Sequence, residues 1–91
     1  MDALQTLGAV IGAGGVPEST ILLVLMRASQ INGCAVCLDG HTRSARKEGE
    51  SDERLGTLAA WRETPYFSDA ERAALDLTEA VTRLADRPNP V

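Results

Sequence analysis

The chain has 91 residues, a formal charge of −4 from nine Lys and Arg against thirteen Asp and Glu, and 44% hydrophobic residues. It is one small domain with enough apolar content to pack a core and too much to be disordered. The acidic balance argues against a nucleic-acid partner, which needs a basic stripe, and the longest apolar run, Ile21 to Met26, has six residues where a membrane span needs roughly 18.

Five helices are expected in chain order. Asp2 caps an apolar stretch, Ala3 to Ile11, which Gly12, Gly14 and Gly15 end. Pro17 suits the first turn of a second helix running to about Ile31, and Asn32-Gly33 breaks it. A third starts near Cys34 and stops at Gly49, with Arg43, Arg46 and Lys47 on a solvated face near its C-terminus. Ser51-Asp52-Glu53 opens a short fourth helix through about Trp61, and Pro65 interrupts. Ser68-Asp69-Ala70-Glu71 is a capping box. Behind it Ala70, Ala73, Ala74, Leu77, Ala80, Val81 and Leu84 form an apolar stripe at helical spacing, and Arg87-Pro88-Asn89-Pro90 cannot continue it. No alternating strand pattern occurs, so the fold class is all-α. Residues 1–91 read as a single domain. Its parts are an N-terminal apolar helix and Gly-rich link over 1–16, a helix pair over 17–48, and amphipathic helices with a tail over 51–91.

Charge is uneven. Residues 1–42 hold three acids and one base, and residues 43–91 hold ten acids and eight bases. The first half therefore reads as buried or interfacial. A domain this small is marginal alone, so a homo-oligomer is expected, with an exposed apolar helix face as the contact. Asp2 stands where a signal peptide would be positive, so no export signal is read and a cytoplasmic location is expected. Two closely spaced cysteines in a reducing compartment point to catalysis or metal binding before structure.

The informative segment is Asn32-Gly33-Cys34-Ala35-Val36-Cys37-Leu38-Asp39-Gly40-His41. On a helix, positions 34, 37 and 41 share one face. Cys34 stands at the helix start, where free N–H groups and the dipole favour a thiolate. His41, one turn past Cys37, can take its proton or stabilise its anion. Two such thiols can be oxidised to an intramolecular disulfide. Plainer readings stand beside this one. The cysteines can be small core residues. They can also be part of a zinc site, but the chain has no further Cys or His, so a carboxylate or a second subunit would have to complete it. Leu38 occupies the place of the histidine of a haem-attachment motif.

The stretch from Met26 through Arg54, with its Asn-Gly-Cys-x-x-Cys-x-x-x-His core, resembles the alkylhydroperoxidase D-like (carboxymuconolactone decarboxylase-like) family. So do Leu58-Ala59-Ala60-Trp61-Arg62-Glu63-Thr64-Pro65-Tyr66-Phe67-Ser68 and the Glu79-Ala80-Val81-Thr82 segment, so that the likeness covers roughly residues 17–85. The resemblance implies an all-α, oligomeric protein, from trimer to hexamer. It implies an antioxidant enzyme that reduces a hydroperoxide substrate through the two cysteines and draws electrons from a dithiol donor protein. No metal, haem, flavin or other cofactor is implied. By resemblance Cys37 is the peroxidatic cysteine, Cys34 the resolving one and His41 the proton-relay histidine, although the helix-start argument alone favours Cys34 as the more acidic thiol. The relay glutamate of the family falls at Leu22, which cannot move protons; Glu18, one turn earlier on the same face, is the candidate substitute. The histidine that some members carry between the cysteines is here Val36. Family chains continue with further helices after the segment matching Thr78 to Leu84, which strengthens the oligomer expectation.

Trp61 is expected as a core or interface anchor. Arg43 or Arg46 would otherwise hold a carboxylate across a subunit interface. Ser29 and Gln30, just before the break, read as late-helix polar residues near the thiols. Two other functions remain open. One is a decarboxylating lyase acting on a lactone, for which a Cys-x-x-Cys pair has no use. The other is a non-catalytic oligomeric module whose cysteines pack or bind zinc.

Overall fold

Pro17 fixes where the first helix begins. In the computed structural model, which describes residues 15–85, its carbonyl accepts from the N–H groups of Thr20 (3.0 Å) and Ile21 (3.1 Å). Helix α1 follows over Glu18–Asn32. It is buried nearly all round, through Thr20, Leu22, Leu23, Val24, Met26, Arg27, Ala28 and Ser29, as a helix surrounded by others must be. Helix α2 (Ala35–Lys47) and helix α4 (Asp69–Ala85) both pack on it. Between them lie the short α3 (Asp52–Thr57) and a 3₁₀ segment (Leu58–Glu63). No strand occurs among the described residues, so the domain is all-α as expected. The helix expected over Ala3–Ile11 and the Arg87-Pro88-Asn89-Pro90 tail lie outside the described residues.

The core gathers Leu22, Leu23 and Met26 of α1 with Ala45, Leu55, Leu58, Trp61, Phe67 and Leu75. One sequence expectation is refined here. The fourth helix does not reach Trp61 as an α-helix but tightens to 3₁₀ at Leu58. A 3₁₀ turn eclipses residues three apart, so Leu58 and Trp61 enter the core together, both buried. Arg72 then holds the end of the segment, donating to the carbonyls of Trp61 (3.2 Å), Arg62 (3.1 Å) and Thr64 (3.2 Å).

The apolar stripe of α4 forms on the helix as expected but faces mostly outward, with only Ala74 and Val81 half-buried. Leu77 is 49% and Leu84 67% exposed, and Ala70, Ala73 and Ala80 are exposed too. The buried face is Leu75, Thr78, Glu79 and Thr82. Polar residues go inside because their groups find partners there: Thr78 donates its hydroxyl to the Ala74 carbonyl (2.7 Å), and Glu79 meets Arg27 and Trp61. The capping box at the start of α4 forms as read, Glu71 N–H to Ser68 Oγ (3.1 Å) and Ser68 N–H to Glu71 Oε1 (2.8 Å).

Candidate redox site

The site is built on the link between α1 and α2. Gly33 takes the left-handed conformation (φ 72°, ψ 26°), which costs glycine little and other residues more. Its N–H reaches the Gln30 carbonyl (3.3 Å), and the N–H of Cys34 reaches the Ser29 carbonyl (3.0 Å). This pair of bonds is a Schellman motif. Cys34 thus closes α1 with its backbone. With its side chain it opens α2: it is the N-cap, and its Sγ accepts from the Cys37 N–H (3.3 Å). The helix start inferred from sequence therefore falls where it was expected.

Cys34 and Cys37 form a disulfide, with Cα atoms 5.3 Å apart. Cys34 is half-buried and Cys37 is exposed, followed along the chain by the half-buried Leu38 and preceded by Val36, 84% exposed. His41 is half-buried one turn beyond Cys37, the spacing at which Cβ atoms on a helix lie about 5–6 Å apart. It lies on the same side of α2 as Cys34, Leu38 and the buried Ala45. Its imidazole makes no hydrogen bond among the described residues. Glu18 is exposed in the first turn of α1, where a carboxylate complements the helix dipole. By sequence it stands eleven residues before Ser29, about 16 Å of helix. Leu22, the position that the resemblance gives to a glutamate, is a core residue. Among the described residues no three His, Cys, Asp or Glu side chains group so as to hold a metal ion.

Two shallow cavities meet at this link. One, of about 220 Å³, is lined by Ser29, Gln30, Gly33, Cys34, Ala35 and Leu38. The other, of about 350 Å³, shares Gln30 and Leu38 and runs on past Met26, Thr42 and Leu55 to Arg46 and Asp52. Gln30 therefore lines the cavity that Cys34 lines, and its orientation is set from behind. Arg27 donates from Nη1 to Gln30 Oε1 (3.0 Å) and from Nε to Glu79 Oε2 (2.9 Å). Trp61 Nε1 donates to the same Glu79 oxygen (2.8 Å), and Arg83 and Arg62 approach the other.

This cluster was not legible beforehand. Arg27 and Glu79 are 8% and 6% exposed, although nothing in the sequence pairs them. Burial pulls the Glu79 carboxyl upward, but the hydrogen bonds from Arg27 and Trp61 and the charges of Arg27 and Arg83 outweigh it. The net effect holds the group below its ordinary value. The Glu79-Ala80-Val81-Thr82 segment carried the resemblance without an assigned role. The only hint was the indole N–H of a buried Trp61, which requires an acceptor. Trp61 itself is 2% exposed, the core anchor expected of it, and it walls neither cysteine cavity. Arg43 and Arg46 stay on the solvated face, paired within the chain to Asp39 (3.1 Å) and Asp52 (3.9 Å).

The chain is similar to known proteins to differing extents. The sequence model of the carboxymuconolactone decarboxylase family matches residues 1–80. The uncharacterised protein YdfG of Bacillus subtilis is 44% identical over 73 residues, 80% of this chain and 50% of YdfG. The alkyl hydroperoxide reductase AhpD of Bradyrhizobium diazoefficiens is 42% identical over 48 residues, 53% of this chain and 26% of AhpD. A crystal structure of an Agrobacterium tumefaciens protein of unknown function, described as a candidate AhpD antioxidant defence protein, superposes with a TM-score of 0.75 at 36% identity. It covers 96% of this chain and 61% of that one. The chain thus spans half of YdfG and about a quarter of this AhpD. With its match reaching across most of the 91 residues, the chain belongs to the carboxymuconolactone decarboxylase family and is AhpD-like in fold.

Proposed function

We propose that the chain is a thiol-dependent peroxidase working through the Cys34–Cys37 dithiol/disulfide couple. The observation that carries this reading is the sulfur pair bridged across the start of α2 with His41 on the next turn. Cys37 attacks the outer oxygen of a hydroperoxide as thiolate. The O–O bond breaks, an alcohol leaves with a proton from His41, and Cys37 becomes a sulfenic acid. Cys34 condenses with it, releasing water and forming the disulfide. A dithiol donor protein then returns two electrons. Glu18, exposed on the same side of α1 as Leu22, enters as the carboxylate that exchanges protons with His41 through intervening water, and Glu18→Gln tests that part separately. No cofactor takes part. The working location is the cytoplasm, where a thiol pool keeps the couple turning over.

The reading extends to assembly. The outer face of α4, with Leu77 and Leu84 exposed on a row of alanines, is the contact of a homo-oligomer between trimer and hexamer. Leu77→Glu with Leu84→Glu dissociates it, which sedimentation velocity measures; an unchanged sedimentation coefficient rejects this face.

The test of the function is the rate of oxidation by an organic hydroperoxide near neutral pH, for wild type and Cys37→Ser. The wild type forms the disulfide far faster than a free thiol reacts, and the variant does not. Equal, unactivated rates reject the peroxidase reading. The family's name keeps one rival in view, a lactone-decarboxylating lyase. Lactone consumption that survives loss of both thiols would establish it.

A further inference from the structure

We infer that the two sulfurs have fixed, opposite duties in reduction: the donor thiolate attacks Sγ of Cys37, and Cys34 is the sulfur expelled. This rests on the dithiol/disulfide reading above, but not on the peroxide step.

Thiol–disulfide exchange is decided by which sulfur is accessible and by which departs as the more stable thiolate. Both criteria separate the pair in the same sense. An incoming sulfur approaches in line with the S–S bond. At Cys37 that approach is from solvent, since Cys37, Val36 and Ala35 are all exposed. Cys34 is half-buried and lines the shallow 220 Å³ cavity together with Ser29, Gln30, Gly33, Ala35 and Leu38, so a thiol reaches its sulfur only past these residues. Cys34 is also fixed by its backbone, whose N–H is held by Ser29 at 3.0 Å.

The leaving tendency points the same way. Cys34 Sγ already accepts the Cys37 N–H at 3.3 Å, at the positive end of α2. That bond is a neutral one in the disulfide and becomes charge-assisted as the sulfur gains its negative charge. Gln30 adds to it. Its acceptor oxygen is taken by Arg27, a donor only, so what it offers the cavity at Cys34 is its N–H groups. Cys37, at the third position of the helix, caps nothing.

The exchange balances as follows. The donor's first thiolate bonds to Cys37 Sγ while the Cys34–Cys37 bond breaks, and the electron pair leaves on Cys34. The donor's second thiolate attacks its own first sulfur and expels Cys37 as thiolate. The donor ends as a disulfide, and two electrons stay on the protein. The same polarity makes Cys34 the ready thiolate when a sulfenic acid on Cys37 must be resolved.

The experiment opens the oxidised wild-type protein with glutathione in the presence of iodoacetamide, quenches with acid, and locates both adducts by fragmenting the Ala28–Arg43 peptide. Glutathione is expected on Cys37 and the alkyl group on Cys34, in about tenfold excess over the reverse. The single-cysteine variants give a second readout. Cys34 in Cys37→Ser alkylates at least about fivefold faster at pH 6 than Cys37 in Cys34→Ser. Glutathione on Cys34, or spread evenly, overturns the inference and leaves the peroxidase reading standing. Glutathione on Cys37 in a protein that does not reduce peroxides upholds it and rejects the peroxidase. A disulfide that glutathione cannot open overturns both.

Discussion

Two links in this chain are built to one plan and do different things. The first, Asn32-Gly33-Cys34, joins α1 to α2, and the second, Glu48-Gly49-Glu50-Ser51, joins α2 to α3. Each has a left-handed glycine (φ 72° and 92°). Each ends its helix with a Schellman motif, the second through Gly49 N–H to Arg46 (3.0 Å) and Glu50 N–H to Ala45 (3.1 Å). Each then starts a helix with a side chain that accepts the N–H three residues on: Cys34 from Cys37, Ser51 from Arg54. Ser68 and Glu71 repeat the spacing at α4. The geometry that closes a capping box is therefore the geometry that brings two sulfurs together. What differs is the element at the cap and the residue three on. At the second link that residue is Arg54, which pairs with Glu50 (2.7 Å) and Glu71 and leaves the position structural. At the first link both are cysteine, and the position carries a disulfide.

The strongest way to break the comparison is to make the first link like the second. Cys34→Ser keeps a capping oxygen and removes the disulfide. Hydroperoxide turnover is expected to vanish while the helical circular dichroism stays. Ser51→Cys, the reverse exchange, is expected to add no redox activity, because its partner position holds Arg54. Peroxide consumption by Cys34→Ser at the wild-type rate would show that the pair does not act together.

The next effect concerns what stands behind each link. Arg54 staples the second from a half-exposed place, whereas Arg27 supports the first from inside, between Gln30 and Glu79. Breaking a buried pair by removing one partner costs about 3–5 kcal/mol. Arg27→Met is expected near the low end of that range, since Trp61, Arg62 and Arg83 still reach Glu79. The measurement is urea denaturation. The pH dependence has a definite sign. Glu79 is held below its ordinary value when folded, so its stabilisation is fully present above about pH 4.3 and is lost as the pH falls through the lower folded value. In Glu79→Gln that part of the acid sensitivity is expected to disappear.

This contrast also marks what was legible. The links were readable because turn and cap chemistry is local: Gly33, Gly49, Ser51 and the Ser68/Glu71 box announce themselves within four residues. The sulfur pair and His41 were readable for the same reason, since one helix carries all three. The inner face of α4 was not. Its Ala/Leu stripe follows the helical period and yet faces outward, while Thr78, Glu79 and Thr82 go inside. Their place depends on Arg27, 52 residues from Glu79 in sequence, and periodicity carries no information about a partner at that distance.

A smaller effect tests whether the two glycines are equivalent. An added Cβ meets no atom within 4 Å at Gly33 or at Gly49, so any cost of alanine there is backbone strain alone. The left-handed conformation costs a non-glycine residue about 1–2 kcal/mol. Gly33→Ala and Gly49→Ala are expected to lose that much and to lose it equally in thermal denaturation. Gly40, inside α2 with ordinary φ and equally open space, is the control: Gly40→Ala is expected to gain about 0.5–1 kcal/mol.

The smallest effect isolates the sulfur as a cap. Cys34→Ala and Cys34→Ser both lack the disulfide, so its contribution cancels between them. Both keep the glycine and the Schellman bonds, which use only backbone. The remaining difference is one acceptor at the start of α2. Serine accepts from the N–H of the third helical residue as Ser51 does from Arg54 at 3.2 Å, and alanine cannot. The serine variant is therefore expected to be more stable by about 1 kcal/mol. Ser51→Ala against wild type should lose a similar amount at the second link. Matching losses mean that the first link is held as a helix start in the same way as the second. If the two Cys34 variants are equally stable, the cap contributes nothing there. The backbone motif at Gly33 alone would then set the distance between the sulfurs.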